Sequence, residues 1–225
     1  MALVLFSCDG GSGKKGSGGK SLFTPVSSGH PYEMLVVIDK DMWERPAGRA
    51  LFNALDMDVP GLPQPERSFR ISQIIPDKFE RGFRIFRNII DVDIQPIYTQ
   101  PKLKYSRDSY ASPQMIMTIQ APDEASFEEF VNQNKQVIVD FFTKAEMNRQ
   151  INLLKEKYSD VVATKVGSMF GCDVRVPVGF ERYKQGKDFF WTSEDRPGSE
   201  VSMNFVVYSY PYTDKNTFTR DYFIH

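Results

Sequence analysis

Five consecutive apolar residues at positions 34–38, Met-Leu-Val-Val-Ile, constrain the fold of this chain more than any other segment. The run is too short to cross a bilayer, and a short continuous apolar run is typical of a buried strand. A helix signal follows directly, because Asp41 and Glu44 match a capping box and Pro46 suits a first helical turn. The folded part of the chain is therefore expected to begin with a strand and a helix, as in a βαβ-like unit.

Three more strands are predicted in the first 120 residues of the chain, from apolar segments at 69–75, 88–94 and 115–119. Phe79, Phe83 and Phe86 recur at helical spacing between the first two of these strands, despite Gly82. This spacing predicts a helix there.

The longest helical region is predicted from Ser126 to Gly171, with a break near Asn148 or Ser159 and Gly171 as the C-terminal cap. Its stripe of apolar residues is typical of core, so these helices are expected to cover one face of the sheet. The predicted stripe comprises Phe127, Phe130, Val131, Val137, Ile138, Phe141, Phe142, Ala145, Ile151, Leu154, Tyr158, Val162 and Val166.

Strand-like segments at 172–176, 180–184, 189–192 and 202–210 make the rest of the chain β-rich, with a hairpin turn at Gln185 and Gly186. The predicted fold class is α+β: a mixed or antiparallel sheet covered by long helices, with a βαβ-like N-terminal part and a β-rich C-terminal part. The aromatic residues of these strands are interpreted as cross-strand packing or, alternatively, as a ligand face. They are Phe189, Phe190, Trp191, Tyr208, Tyr210 and Tyr212.

Composition excludes several classes of function. With 28 basic and 29 acidic side chains the formal net charge is -1, which argues against nucleic-acid binding as the main task. Cys8 and Cys172 are the two cysteines, so no disulfide framework is expected, and His30 and His225 do not suffice for a zinc site. The sequence therefore predicts no nucleic-acid partner, no metal and no cofactor, and Cys172 is interpreted as a small buried residue.

The N-terminus has the pattern of a bacterial lipoprotein processing site, with Leu5, Ser7 and Cys8 in the expected places and a bulky Phe6 between them. The apolar stretch is shorter than a working signal requires. A Gly/Ser/Lys segment follows and is typical of a flexible tether. We therefore expect residues 1–8 to be the remnant of a lipoprotein signal with Cys8 as the lipidated residue, and residues 9–29 to be a tether. The alternative is a chance match before a disordered end.

Residues 95–112 carry several prolines and a series of aromatic and basic residues, and they are predicted to form a long surface loop. Long loops of this kind are often functional, so this segment is the first candidate for a ligand-binding surface. Its candidate residues are Tyr98, Lys102, Lys104, Tyr105, Arg107 and Tyr110. A solvated edge strand protected by lysines is the alternative interpretation.

Carboxylates after the first strand allow an enzymatic alternative. Asp39, Asp41 and Glu44 lie where open α/β sheets place ligands, and such carboxylates can hold a divalent cation. Asp91 and Asp93 share one face of a predicted strand and are possible additions. The simpler interpretation is that Asp41 caps a helix and the others are solvated.

Four segments resemble a family of Bacteroidetes-type lipoproteins that carry a domain of unknown function. They are SGHPYEMLVV at 28–37, NIIDVDI at 88–94, GKDFFW at 186–191 and YSYPYTDKNTF at 208–218. The resemblance spans residues 30–225, and implies a single α+β domain that continues past the last residue. It also implies an acylated, palmitate-bearing Cys8 after a signal peptide, with no catalytic residues to transfer.

Taken together, the patterns predict a lipid-anchored protein of the cell envelope, on the periplasmic side or the outer surface of the outer membrane. A binding or assembly role is expected, with the membrane as one partner and an envelope protein or a glycan as another. An envelope hydrolase or metal-dependent enzyme is the alternative.

Overall fold

The computed structural model of the protein describes residues 24–194 and 202–224. The chain divides into two compact units, Met1–Thr143 and Lys144–His225. Each unit has its own sheet, and the fold is α+β, as predicted. No helix in the described part of the chain combines the length and the apolar character that a membrane span requires.

The first unit is built on a mixed sheet of five strands in the order β2-β1-β3-β5-β4. β2, β1, β3 and β5 run parallel to one another, and β4 lies antiparallel to β5 at one edge. The strands are β1 (Glu33–Val37), β2 (Arg70–Ile74), β3 (Asn88–Ile94), β4 (Lys102–Arg107) and β5 (Met115–Ala121). The strands predicted at 34–38, 69–75, 88–94 and 115–119 are therefore confirmed.

Helices of the first unit connect and follow the parallel strands. Between β1 and β2 the chain forms α1 (Lys40–Glu44) and α2 (Pro46–Leu55), and α4 (Glu124–Gln133) and α5 (Lys135–Glu156) follow β5. The connection from β2 to β3 is shorter, with a 3₁₀-helix at Pro76–Lys78 and α3 (Arg81–Arg84). The helix predicted from three phenylalanines is thus only four residues long, around Gly82, whose residue type disfavours helix.

The continuous apolar run of β1 is explained by burial on both faces. Met34 and Val36 belong to the larger apolar cluster, on what we call the first face, together with residues of α2, α4 and α5. Leu35 and Val37 belong to a smaller cluster on the second face, with partly buried Phe79 and Phe86 beside it. A strand that is covered on both faces loses the alternation of apolar and polar residues.

The second unit contains the end of α5, the helix α6 (Asp160–Phe170) and an antiparallel sheet in the order β6-β7-β8. Its strands are β6 (Arg182–Gln185), β7 (Phe189–Glu194) and β8 (Met203–Tyr208), followed by a 3₁₀-helix at Lys215–Phe218 and α7 (Arg220–Ile224). Val162, Val166 and Phe190 lie at the centre of its core. The antiparallel arrangement confirms the β-rich prediction, and Gly186 N–H donates to the Phe189 carbonyl in the predicted hairpin turn.

The helical region has one break that was predicted and one that was not. The predicted break near Ser159 is confirmed at residues 157–159, where the Ser159 side chain caps α6, whereas the end of α4 at Asn134 was hidden within the apolar stripe. Gly171 closes α6 with a positive φ of 66°, as predicted. Because a break changes the phase of a helix, Val137 and Ile151 are exposed rather than buried.

Two further predictions are wrong. Residues 172–176 form no strand, and Cys172 is exposed rather than buried. The segment at 95–112 is not a long loop, because its centre forms β4 along the edge of the first sheet. The alternative of an edge strand with lysines is confirmed.

Candidate functional site

The second face of the five-stranded sheet changes from apolar to polar along its strands. On β3, Ile89 lies in the smaller apolar cluster, whereas the next residues on the same face are Asp91 and Asp93. β5 changes in the same way, from Ile116 to Thr118 and Gln120. β4, at the edge of the sheet, contributes Lys102 and Lys104 to this part of the face and Ser106 beside Ile116.

Strand pairing arranges these side chains in two rows across the sheet. The rows are Asp91, Thr118 and Lys104, and Asp93, Gln120 and Lys102. Because neighbouring strands lie about 4.8 Å apart, the Cα atoms of each acid and its lysine are about 10 Å apart. Each row therefore runs from a carboxylate, through a neutral polar side chain, to an ammonium group.

Asp93 is the centre of a hydrogen-bond network. Its Oδ2 accepts from Tyr98 Oη and, at 2.6 Å, from Gln120 Nε2, while its Oδ1 accepts from Gln95 Nε2 at 2.7 Å. Gln120 Nε2 also lies 2.5 Å from Tyr98 Oη. We call Asp93, Gln95, Tyr98 and Gln120 the Asp93 network. It fixes the short connection after β3 to the strands beside it.

Asp91 differs from Asp93 because its carboxylate has no hydrogen-bond or ion-pair partner within the described residues, although it is half-buried. A second acceptor nearby is also unfilled. Gln120 is 3% exposed. Its Oε1 is buried and has no hydrogen-bond partner among the described residues, whereas its Nε2 donates to Asp93 Oδ2. The half-buried Asp91 carboxylate is a hydrogen-bond acceptor, so the site favours a ligand that brings donors, whereas Gln120 Oε1 is itself too buried to meet one.

The two aspartates have pKa values shifted in opposite directions. Burial raises the pKa of Asp91 above its ordinary value of 3.8, and the negative charge of Asp93 raises it further. Burial also raises the pKa of Asp93, but the hydrogen bonds from Tyr98, Gln120 and Gln95 outweigh it, so the net pKa is lowered. The same Tyr98 bond raises the pKa of the Tyr98 hydroxyl, since losing its proton would place two negative charges together.

The six residues that the sequence predicted as a ligand-binding surface are divided by the alternation of β4. Tyr98, Lys102 and Lys104 lie on the second face, where Lys102 Nζ is 6.0 Å from the centre of the Tyr98 ring. Tyr105 points to the other side and packs on Phe141, with ring centres 4.7 Å apart. Tyr98, Lys102 and Lys104 therefore lie on the same face of the sheet as Asp91 and Asp93 of β3.

The remaining two predicted residues lie elsewhere. Arg107 lies two residues after Tyr105 and therefore on the same side of the sheet as Tyr105, and its Nε is 3.6 Å from Asp108 Oδ2. Tyr110 lies after β4 and contacts Phe79 edge to face, with the guanidinium of Arg84 5.4 Å from its ring centre. The structure thus brings three of the six residues together and separates the other three.

The carboxylates after β1 have a structural role. Asp39, not Asp41, caps α1, and its Oδ1 accepts from the backbone N–H groups of Asp41 at 2.9 Å and Met42 at 3.1 Å. Across the described residues, no group of three or more His, Cys, Asp or Glu side chains is arranged to hold a metal ion. Cys8 and the tether through residue 23 lie outside the described residues.

Gln95 and Gln120 are the residues of the site that sequence reasoning missed. The available signal was the alternation in β5, where Thr118 and Gln120 interrupt an otherwise apolar strand as Asp91 and Asp93 interrupt β3. Two parallel strands that become polar on alternate residues indicate one polar patch. Their order in the sheet was needed to place them side by side.

Comparison with known families finds two models that match successive parts of the chain. A family model described as "Domain of unknown function (DUF8532)" matches residues 27–155, more than half of the chain. The chain belongs to this family. A second model, "Domain of unknown function (DUF4837)", matches residues 159–225, and the boundary between the matches falls between α5 and α6. No curated protein and no solved structure matches the chain.

Proposed function

We propose that the chain is a lipid-anchored protein of the cell envelope that binds a glycan at the polar half of the second sheet face. The observation that carries the binding proposal is the unpaired, half-buried carboxylate of Asp91 beside the fully bonded Asp93. A half-buried charge without a partner costs free energy in the empty site. A ligand that donates hydrogen bonds to Asp91 recovers this cost.

A glycan suits the site because a sugar hydroxyl both donates and accepts hydrogen bonds. One hydroxyl can donate to Asp91 while another accepts from Lys104, which lies in the same row. The Tyr98 ring offers an apolar surface for the carbon face of a sugar, and the Asp93 network holds that ring in place before binding. A site whose groups are already fixed loses less entropy on binding.

Tyr105, Arg107 and Tyr110 are not part of this proposed site, because they lie away from Asp91 and Asp93.

A glycan is preferred over a protein partner since the polar groups of the site converge on a small area. Protein interfaces need a larger surface with a desolvated centre.

The envelope location is supported by the pattern Leu5, Phe6, Ser7 and Cys8 and by the Gly/Ser/Lys composition that follows. Metabolic labelling with palmitate in a bacterial host tests it. Because the apolar stretch before Cys8 is shorter than a working signal, the chain is expressed behind a complete signal sequence, where it is expected to incorporate the label and Cys8→Ser to lose it. A label that persists in Cys8→Ser would remove the lipid anchor from the proposal.

Binding is tested with a glycan array followed by titration of the strongest oligosaccharide. Asp91→Asn is expected to lower its affinity by about tenfold or more, since hydrogen bonds to charged groups contribute about 1.5–3 kcal/mol. The matched control is Asp77→Asn, which makes the same chemical change at an exposed position of the 3₁₀-helix. Equal affinities for wild type and Asp91→Asn would rule out this site.

A glycan hydrolase is the second candidate, and the opposed pKa shifts of Asp91 and Asp93 favour it. Two carboxyl groups with pKa values moved apart are the usual arrangement for a proton donor and an ionised partner. Asp91 would donate the proton and Asp93 would remain ionised. Release of shorter oligosaccharides from the bound glycan, lost in both Asp91→Asn and Asp93→Asn, would favour hydrolysis over binding alone.

A further inference from the structure

The connection between β2 and β3 presents exposed cations around a surface hollow of about 540 Å³ in the first unit. Lys78, Arg81 and Arg84 line it, and Glu80 is the single acid among the lining residues. The side chains of Lys78 and Arg81 form no ion pair or hydrogen bond within residues 24–194 and 202–224. With three cations and one acid, the residues that line the hollow have a net positive charge, and the exposed Asp77 lies next to Lys78 in the chain.

Apolar side chains accompany these cations. Phe83 also lines the hollow and is 42% exposed, although its ring stacks near Phe86 with centres 6.4 Å apart. Gly82 leaves open space beside it, with no atom within 4 Å of where a Cβ would lie. An exposed phenyl ring between basic side chains is the combination that binds the interface of a lipid bilayer.

The segment is held on the sheet rather than free. Phe79 and Phe86 pack against the smaller apolar cluster, and Arg84 Nε donates to the Phe79 carbonyl at 3.1 Å. The Arg84 guanidinium also lies 5.7 Å from the Phe79 ring centre. Lys78, Arg81 and Phe83 are therefore presented to solvent on a rigid base.

We infer that Lys78, Arg81, Arg84 and Phe83 form a contact surface for a bilayer that contains anionic phospholipids. Charge complementarity selects this occupant, since phosphate-bearing headgroups are negative and Arg and Lys bind phosphate oxygens. The bilayer also provides an apolar layer for Phe83, which a soluble anion does not. This inference goes beyond the glycan site, and it takes from the proposed function only the location at a membrane.

A bilayer contact of this kind complements a lipid anchor. Two or more acyl chains hold a protein at a membrane without a further signal, so the basic contact adds an orientation and not the attachment itself. Each Lys or Arg near an anionic surface contributes about 1 kcal/mol, which corresponds to about fivefold in partition. The basic hollow would thus also fix which side of the first unit faces the membrane.

The test uses full-length Cys8→Ser protein, so that no acyl chain contributes, and vesicles of phosphatidylcholine with or without phosphatidylglycerol. Binding is expected only to the anionic vesicles, and it should weaken as sodium chloride is raised. In the same background, Lys78→Gln with Arg81→Gln should lower the partition coefficient about 25-fold, at about fivefold for each charge. Phe83→Ser should lower it further, because the ring no longer enters the interface.

The matched control is Lys155→Gln with Lys157→Gln, which removes two exposed charges from the second unit and should leave binding unchanged. Equal loss in the control pair, or equal binding to neutral and anionic vesicles, would overturn the inference. So would displacement by inorganic phosphate beyond that produced by chloride at the same ionic strength, since this would indicate an ion site instead of a bilayer contact. Palmitate labelling of Cys8 is independent of all these outcomes, so the lipid anchor and the basic hollow can fail separately.

Discussion

The two faces of the five-stranded sheet belong to the same strands but differ in how far their apolar residues extend. The first face is apolar along the whole length of β5 and, after the buried Asn88, along β3, where Ile90, Val92 and Ile94 alternate with the residues of the other face. The second face is apolar only at the start of these strands and becomes polar at Asp91 and Thr118. Apolar residues run to the end of a strand only on a face that is covered, so the polar end of the second face marks a part of the sheet that meets solvent.

The difference separates residues that stabilise the fold from residues that are available for binding. The first face is covered by α2, α4 and α5, whose apolar side chains fill it. The polar half of the second face includes a bonded carboxylate, Asp93, and an unpaired one, Asp91. Substitutions on the two faces should therefore differ in size and even in sign.

The largest effect is expected from a substitution on the first face. Phe127 of α4 is fully buried in the larger apolar cluster, so Phe127→Ala should lower the free energy of unfolding by about 3–5 kcal/mol. Thr118→Ala on the polar half of the second face should change it by no more than about 0.5 kcal/mol. Urea denaturation of both variants measures the contrast, and similar losses would mean that the two faces do not differ as described.

Asp93→Asn should have an intermediate effect. The new amide group places its N–H donors against the N–H donors of Gln95 or Gln120. This should lower the free energy of unfolding by about 1–3 kcal/mol at neutral pH. Because the pKa of Asp93 is lowered in the folded protein, its contribution is fully present above the ordinary value of 3.8 and is lost as the pH falls through the folded pKa. The difference in stability from wild type should shrink in acid, and a constant difference across pH would contradict the role of the ionised carboxylate.

Asp91→Asn should have the smallest effect and the opposite sign. The pKa of Asp91 is raised on folding, so its ionised form destabilises the fold as the pH rises through the folded pKa. Removing the charge should stabilise the protein at neutral pH, by under about 1 kcal/mol, with no gain below pH 3.8 where the carboxyl is already protonated. Thermal unfolding as a function of pH checks this, and a loss of stability at neutral pH would show that Asp91 has a stabilising partner.

Part of this contrast could be predicted from the sequence. The apolar run at 34–38 predicted a buried strand, and the run at 88–94 has the bounds of β3. The prolines around 95–112 suggested a loop instead of β4, because strand formation there depends on pairing with β5, a contact that composition does not report. The phase change at Asn134, which exposes Val137, was also hidden within a continuous apolar stripe.

The sequence predicted separate groups of residues of the candidate site but not that these groups lie together. Asp91 and Asp93 were recognisable as one strand face, and Tyr98, Lys102 and Lys104 as a basic and aromatic series. Their association depends on the sheet order, which places β5 between β3 and β4 and contributes Gln120. The opposed pKa shifts depend on burial and on hydrogen bonds between residues up to 27 positions apart. No local pattern contains that information.

The most direct test of the proposed site is a pH titration of the Asp91 and Asp93 side-chain carboxyls by carbon NMR, with and without the oligosaccharide selected on the array. In the free protein the Asp91 carboxyl should titrate above its ordinary value and the Asp93 carboxyl below it. Binding should lower the pKa of Asp91, since donors from the glycan stabilise its ionised form, and should leave Asp93 nearly unchanged. Two carboxyls that titrate together at the ordinary value, and do not respond to the oligosaccharide, would contradict the assignment of this face as a binding site.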